Sequence, residues 1–239
     1  MNYRLMTVAG LLSAFVGMAN AAFDQIGTGA GADTNGFATQ NISDFAPNYN
    51  IMALEDMTTG AVHVDSVDMV FFFFNSSTPD VANITGWQFA VYKQATGASG
   101  STDTSNTGDV ANAHVGTGAA TFTPNFNGVT GNYLVHVDLT SANINLAAGS
   151  YWFGLAGDMA FTGPGEIGVA GTTMVDASSA ATNARQMNGG GGFGAGTNFV
   201  TNPADNLSYR LNTSAVPEPA TMAALGLGVA AMIRRRRNG

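Results

Sequence analysis

The stretch Trp87-Gln88-Phe89-Ala90-Val91-Tyr92 decides how the chain folds. Successive side chains of a strand point to opposite faces, so Trp87, Phe89 and Val91 are expected to face a core while Gln88, Ala90 and Tyr92 point away. Tyr133, Val135, Val137 and Leu139 repeat this period against Leu134, His136 and Asp138. Val67-Asp68-Met69-Val70 runs into Phe71, Phe72, Phe73 and Phe74, a continuous apolar stretch of strand length that predicts burial on both faces. Tyr151-Trp152-Phe153-Gly154-Leu155 reads the same way after an expected Gly149-Ser150 turn. Clusters of Asn, Ser, Thr and Gly at 95–108, 123–131 and 188–196 separate the runs as loops. Away from the termini, only Asp176 to Arg185 reads as a short helix. Many short strands joined by polar turns predict an all-β fold, an antiparallel β-sandwich of jelly-roll type over residues 22–212.

The composition agrees. Of 239 residues, 45% are hydrophobic and 10% charged, which excludes a charge-rich disordered chain. The 31 glycines follow no three-residue period, which excludes a collagen-like rod. Five of the eight basic residues, Arg4 and Arg234 to Arg237, stand near the ends. Between Ala22 and Ala215 only Lys93, Arg185 and Arg210 oppose fifteen acidic residues, a balance that excludes phosphate-backbone binding and hence nucleic acid as a partner. There is no cysteine, so burial must stabilise the fold without disulfides.

Both ends read as addresses. Arg4 precedes an apolar run to Met18, and Ala19-Asn20-Ala21-Ala22 closes it with small residues. This is the pattern of a secretory signal peptide over 1–21, with Ala19 and Ala21 at the cleavage site and the secretion machinery as partner. At the other end stand Pro217, Glu218 and Pro219, the apolar segment Ala220 to Ile233, and Arg234, Arg235, Arg236 and Arg237. The two prolines stop a helix from entering the body. The fourteen residues of this segment would make a helix of about 21 Å against a hydrocarbon layer of roughly 30 Å, a marginal transmembrane segment. The arginines would act as a cytoplasmic stop and leave the body outside.

These three ordered elements resemble the PEP-CTERM protein-sorting signal. The resemblance implies that Pro217, Glu218 and Pro219 are the recognition element for an exosortase, a membrane-embedded, transpeptidase-like cysteine enzyme of Gram-negative bacteria that often make exopolysaccharide. It implies that 213–239 is a linker plus sorting signal, with residues 213–216 as the tether and 220–233 as a transient anchor. Trp87 to Tyr92, Leu146 to Phe153 and Asn206 to Leu211 resemble strands of the jelly-roll-like ectodomains of such proteins. Together these imply an exported protein with a non-enzymatic structural or adhesive role at the cell surface or in the exopolysaccharide matrix. A secreted carbohydrate-binding module is the alternative, followed by a secreted hydrolase.

No candidate chemistry in the body is compelling. His63, His114 and His136 form no close-spaced ligand set; His136 and Asp138 would be same-face neighbours, as on a solvated strand. Glycoside hydrolysis needs two carboxyl groups across a cleft, and the body has only two glutamates, Glu55 and Glu166, among its acids. Glu55 and Asp56 are adjacent and would point to opposite faces of a strand. The glycines at 189, 191 and 194 match a nucleotide fingerprint without its strand and helix context. Trp87, Trp152 and Tyr151 would serve a sugar-binding module as a stacking platform, or else pack the core. Sequons at Asn41, Asn75, Asn83, Asn206 and Asn212 read as surface turns. No cofactor is expected. If a metal binds, oxygen-rich and thiolate-free chemistry favours calcium, held by Asp103, Ser105 and Asp109 ahead of His114 where a calcium loop carries glutamate; the competing reading is an Asx-rich turn. A rise in melting temperature with millimolar calcium is the outcome expected of a calcium loop, and an unchanged melt that expected of a turn.

Overall fold

A computed structural model describes residues 20–26, 36–44, 49–94, 108–179, 184–188, 200–201, 206–216 and 232–233. The strands are β1 (Asn20–Asp24), β2 (Gly36–Ala38), β3 (Gln40–Ile42), β4 (Met52–Thr59), β5 (Val62–Phe74), β6 (Gly86–Lys93), β7 (Ala111–Gly116) and β8 (Ala120–Pro124). They continue with β9 (Asn132–Asp138), β10 (Ile144–Leu146), β11 (Gly149–Met159), β12 (Glu166–Thr172), β13 (Arg185–Met187), β14 (Val200–Thr201), β15 (Asn206–Leu207) and β16 (Tyr209–Ala215). Nine belong to one sheet and seven to a second, giving the expected all-β sandwich.

The 13-residue strand β5 organises the first sheet. It pairs with β10 and then β9 along one edge, and with β16 and then β12 along the other. In the second sheet β11 lies between β4 and β6, while β13 and β14 extend the β4 side and β7 extends the β6 side. The pairings are antiparallel except β3 with β11, which is parallel.

The expected alternation holds where the sheets face each other. Phe71 on β5 meets Trp87 on β6 edge-on at 5.8 Å, and Phe23 on β1 meets Phe153 on β11 at 5.1 Å. Phe153 also packs against Phe89 and Tyr209, so three strands of both sheets converge on one ring. Gly157 leaves room for Ile167 of the facing sheet, whose side chain a Cβ there would approach to 2.6 Å.

Other expectations need correction. Ala90 and Tyr92 point away from the inter-sheet core, yet they are fully buried in a second cluster with Met52, Leu54, Trp152, Ala156 and Met187 on the outer face of that sheet. The Phe run is buried on both faces only through Val70 and Phe71; Phe72, Phe73 and Phe74 are half-buried at the end of β5. Gly149 and Ser150 are not a turn, because they already pair with Thr59 and Thr58.

Among the described residues of the segment from Asp176 to Arg185 there is no helix, and residues 180–183 lie outside the described residues. The Asp176 carboxylate accepts from the Ser178 N–H at 2.7 Å and from the Ser178 hydroxyl in an Asx-type turn. Arg185 belongs instead to β13, beside β4. The first sheet also runs past the expected boundary at 212, since Thr213, Ser214 and Ala215 pair with Val64, His63 and Val62. The expected tether is thereby reduced to Val216. Met232 and Ile233 are the described residues of the C-terminal apolar segment, and both are exposed. Among the described residues no helix is long and apolar enough to cross a membrane.

Phe153→Ala is expected to lower stability by about 3–5 kcal/mol, the range for emptying a buried aromatic site, as read by the shift in a denaturant-unfolding midpoint.

Candidate functional site at the C-terminal strand

The strand β16 carries the chain from the core to the expected sorting signal. Its alternation puts Tyr209 and Leu211 into the inter-sheet core and Arg210 and Asn212 on the opposite face. Tyr209 crosses to the second sheet: its hydroxyl donates to the Ala53 carbonyl at 3.0 Å and accepts the Leu155 N–H at 3.3 Å. Complete burial pushes the phenol well above its usual range, so it remains a donor. On the outer face Arg210 bridges Asp24 on β1 at 3.0 Å and Asp68 on β5 at 3.5 Å. The second oxygen of Asp68 meets His136 Nδ1 on β9 at 2.6 Å, and Asn212 donates to Ser66 at 2.9 Å. This chain of contacts ties four adjacent strands together.

Beyond Asn212 the register with β5 shifts. Thr213 is still buried, Ser214 half-buried and Ala215 exposed, and Val216 alone separates β16 from Pro217. On its other side β16 pairs with β1, Asn20 opposite Thr213 and Ala21 opposite Asn212. The expected signal-peptide boundary and the expected sorting signal therefore meet the body on neighbouring strands, at the same end of the sheet.

The second polar link between the sheets is Glu55, on β4 and fully buried. One carboxyl oxygen accepts the Leu207 N–H of β15 at 2.7 Å and the other accepts the Asp56 N–H at 3.2 Å. Both bonds favour the charged form, but desolvation outweighs them and Asp56 adds repulsion, so the pKa rises to about 8. Asp56 points to the other face, as expected, where it accepts from Ser179 at 2.8 Å. There the Arg185 guanidinium lies 4.6 Å from the centre of the Trp152 ring, and burial lowers the guanidinium pKa against the pull of Asp56.

The residues singled out for chemistry do not converge. Glu166 lies at the start of β12, accepts from Asn75 at 2.8 Å and belongs to the opposite sheet from Glu55. His136 and Asp138 are both exposed on one face of β9, as on a solvated strand. Asp138 caps a turn by accepting from the Thr140 N–H and hydroxyl, which lowers its pKa, and the partner of His136 is Asp68 across the strand pair. His114 bonds Asp158 at 2.6 Å and His63 faces Asn145 at 3.2 Å. Trp87, Trp152 and Tyr151 are all buried, so these three form no sugar-stacking platform. Tyr151 and Trp152 do point to opposite faces, each into its own cluster.

Asn75 lies in a bend and Asn83 ends a short 3-10 helix, but Asn41, Asn206 and Asn212 lie in strands, and Asn206 is buried. Of the calcium candidates, Asp109 accepts the Lys93 N–H at 2.8 Å, while Asp103 and Ser105 lie outside the described residues. Ala21 is in β1; Ala19, the loop glycines 189–194, Pro217 to Pro219 and Arg234 to Arg237 also lie outside the described residues. Sequence reasoning missed Glu55 as a core group and Tyr209 as a cross-link. The available signal for the former was an acid enclosed by Met52, Ala53, Leu54 and Met57.

Residues 215–237 match the PEP-CTERM protein-sorting motif. No curated protein and no solved structure matches the chain. The chain thus carries a PEP-CTERM sorting signal, and the matched segment begins on Ala215, the last residue of β16.

The raised Glu55 pKa fixes the sign of a pH dependence. Below its unfolded value near 4.5 the carboxyl is protonated in both states and its contribution is fully present. Between 4.5 and about 8 the unfolded chain ionises while the folded one resists, so stability falls as pH rises through this window. Denaturant unfolding at pH 5 and pH 8 is expected to show Glu55→Gln gaining on the wild type by a few kcal/mol at the higher pH, because each tenfold change in a protonation equilibrium is worth about 1.4 kcal/mol.

Proposed function

We propose that this is an exported, non-enzymatic protein, sorted by an exosortase and displayed at the cell surface or in the exopolysaccharide matrix of a Gram-negative bacterium. The observation that carries this reading is the sorting motif at 215–237, joined to the sandwich with a single residue between β16 and Pro217. In this reading the signal peptide takes the chain across the inner membrane, and Ala220 to Ile233 holds it there transiently. Arg234 to Arg237 remain on the cytoplasmic side, consistent with the positive-inside tendency. A span near 21 Å in a layer of roughly 30 Å is a poor permanent anchor, which suits a segment that is removed.

The body then acts by what its surface presents. Its acidic excess keeps it soluble and favours cationic or cation-bridged partners over anionic ones. Calcium bridging of matrix polysaccharide fits that charge, and the oxygen-rich stretch from Asp103 to Asp109 is where we place it.

Intact-mass measurement of the protein recovered outside the inner membrane is expected to give a form lacking Arg234 to Arg237. Glu218→Ala, or loss of exosortase activity, is expected to leave most of the chain full-length and membrane-associated. Full-length protein in the released fraction of wild-type cells would refute the sorting reading.

A further inference from the structure

We propose that Thr213–Ala215 is a releasable end of β16, which must leave β5 before the sorting signal can be processed, while Tyr209–Asn212 stays in the sheet. The inference rests on the sorting reading above and adds a conformational step to it.

The two parts of β16 are held differently. Tyr209 and Leu211 sit in the core, Tyr209 also bonds to the second sheet, and Arg210 and Asn212 join the polar chain on the outer face. After the register shift no side chain belongs to the hydrophobic core. What holds the end is backbone pairing of Thr213, Ser214 and Ala215 with Val64, His63 and Val62, and the bond from Ser214 to Asp65 at 3.1 Å. Opening along the strand therefore has a natural stopping point at the shift, since Asn212 and everything before it is anchored by side chains as well as backbone.

The other flank points the same way. Thr213 and Asn212 face Asn20 and Ala21 of β1. Signal-peptide cleavage after Ala21 removes both partners, so the end of β16 keeps a neighbour on the β5 side alone. Removal of the first address thus loosens the attachment of the second.

Reach makes the opening necessary. An enzyme that cuts or exchanges a backbone bond must enclose several extended residues around it, and residues still paired in a sheet are not available to it. With the end closed, Val216 alone separates the sheet from Pro217. Freeing three residues adds about 10 Å of chain, at roughly 3.3 Å per residue.

The test is a disulfide across the last pair. The chain has no cysteine, and facing residues of an antiparallel pair have Cα atoms about 4.5–5.5 Å apart, within disulfide range. V62C/A215C, expressed with the full chain in exosortase-competent cells, is expected to fold to a protease-resistant body when oxidised. Its tail should be retained, with release at least about tenfold below wild type, because processing tracks the open population. Reductant should restore release. A four-residue Gly-Ser insertion between Ala215 and Val216 should restore it without reductant.

Release of the oxidised protein at the wild-type rate overturns the proposal and leaves the sorting reading standing. Failure of the insertion to rescue release overturns it too, since the cross-link would then act by something other than reach. If the wild-type chain is never processed, or Glu218→Ala changes nothing, the sorting reading falls and takes this step with it.

Discussion

The fold depends on joining two sheets without disulfides, and Tyr209 bears much of that task. Its ring packs against Phe153 at 5.5 Å, and its hydroxyl bonds to backbone groups of β4 and β11 in the opposite sheet. A buried hydroxyl without a partner is costly, so the position is strongly specified: the ring must enter the core and the oxygen must end on Ala53 and Leu155. Glu55 provides the reciprocal link, reaching from β4 to the backbone of Leu207. Both links converge on the final stretch of chain, β15 and β16. The C-terminal strand is consequently an interior element of the domain rather than an appendage.

This arrangement bears on how a sorting signal can be attached. A long flexible linker would separate body and tail, so that events at the membrane had no consequence for the fold. Here the matched motif starts where the ladder stops, and the body grades from anchored core to exposed strand end within the seven residues of β16. Antiparallel pairing also sets Asn20 beside Thr213, so the expected signal-peptide boundary and the sorting motif meet the body at one end of the sheet.

What the sequence made legible was periodicity. Trp87, Phe89 and Val91 face the core because a two-residue repeat leaves no other way to bury them together. The outer faces were harder, because alternation tells which way a side chain points but not what covers it. Ala90 and Tyr92 were correctly assigned to the far face, yet that face carries its own apolar cluster. The segment from Asp176 was ambiguous for a local reason, since the bond from the Ser178 N–H to the Asp176 carboxylate serves a turn and a helix start alike. The pairing of His136 with Asp68 is 68 positions distant in sequence and follows from strand register alone. The sorting signal was legible because it is read by an enzyme as a linear string. The polar contacts of the body, by contrast, are made by residues that only the fold brings together.

The position of β16 between β1 and β5 has a mechanical consequence. Tension drawn on the tail along the strand direction, against a grip at the opposite end of the sandwich, would shear all of its backbone bonds at once. The same tension applied sideways would unzip them singly, beginning at Ala215. A domain suspended by this strand is therefore tough in one direction and yielding in another, and how it hangs from its support determines which behaviour it shows.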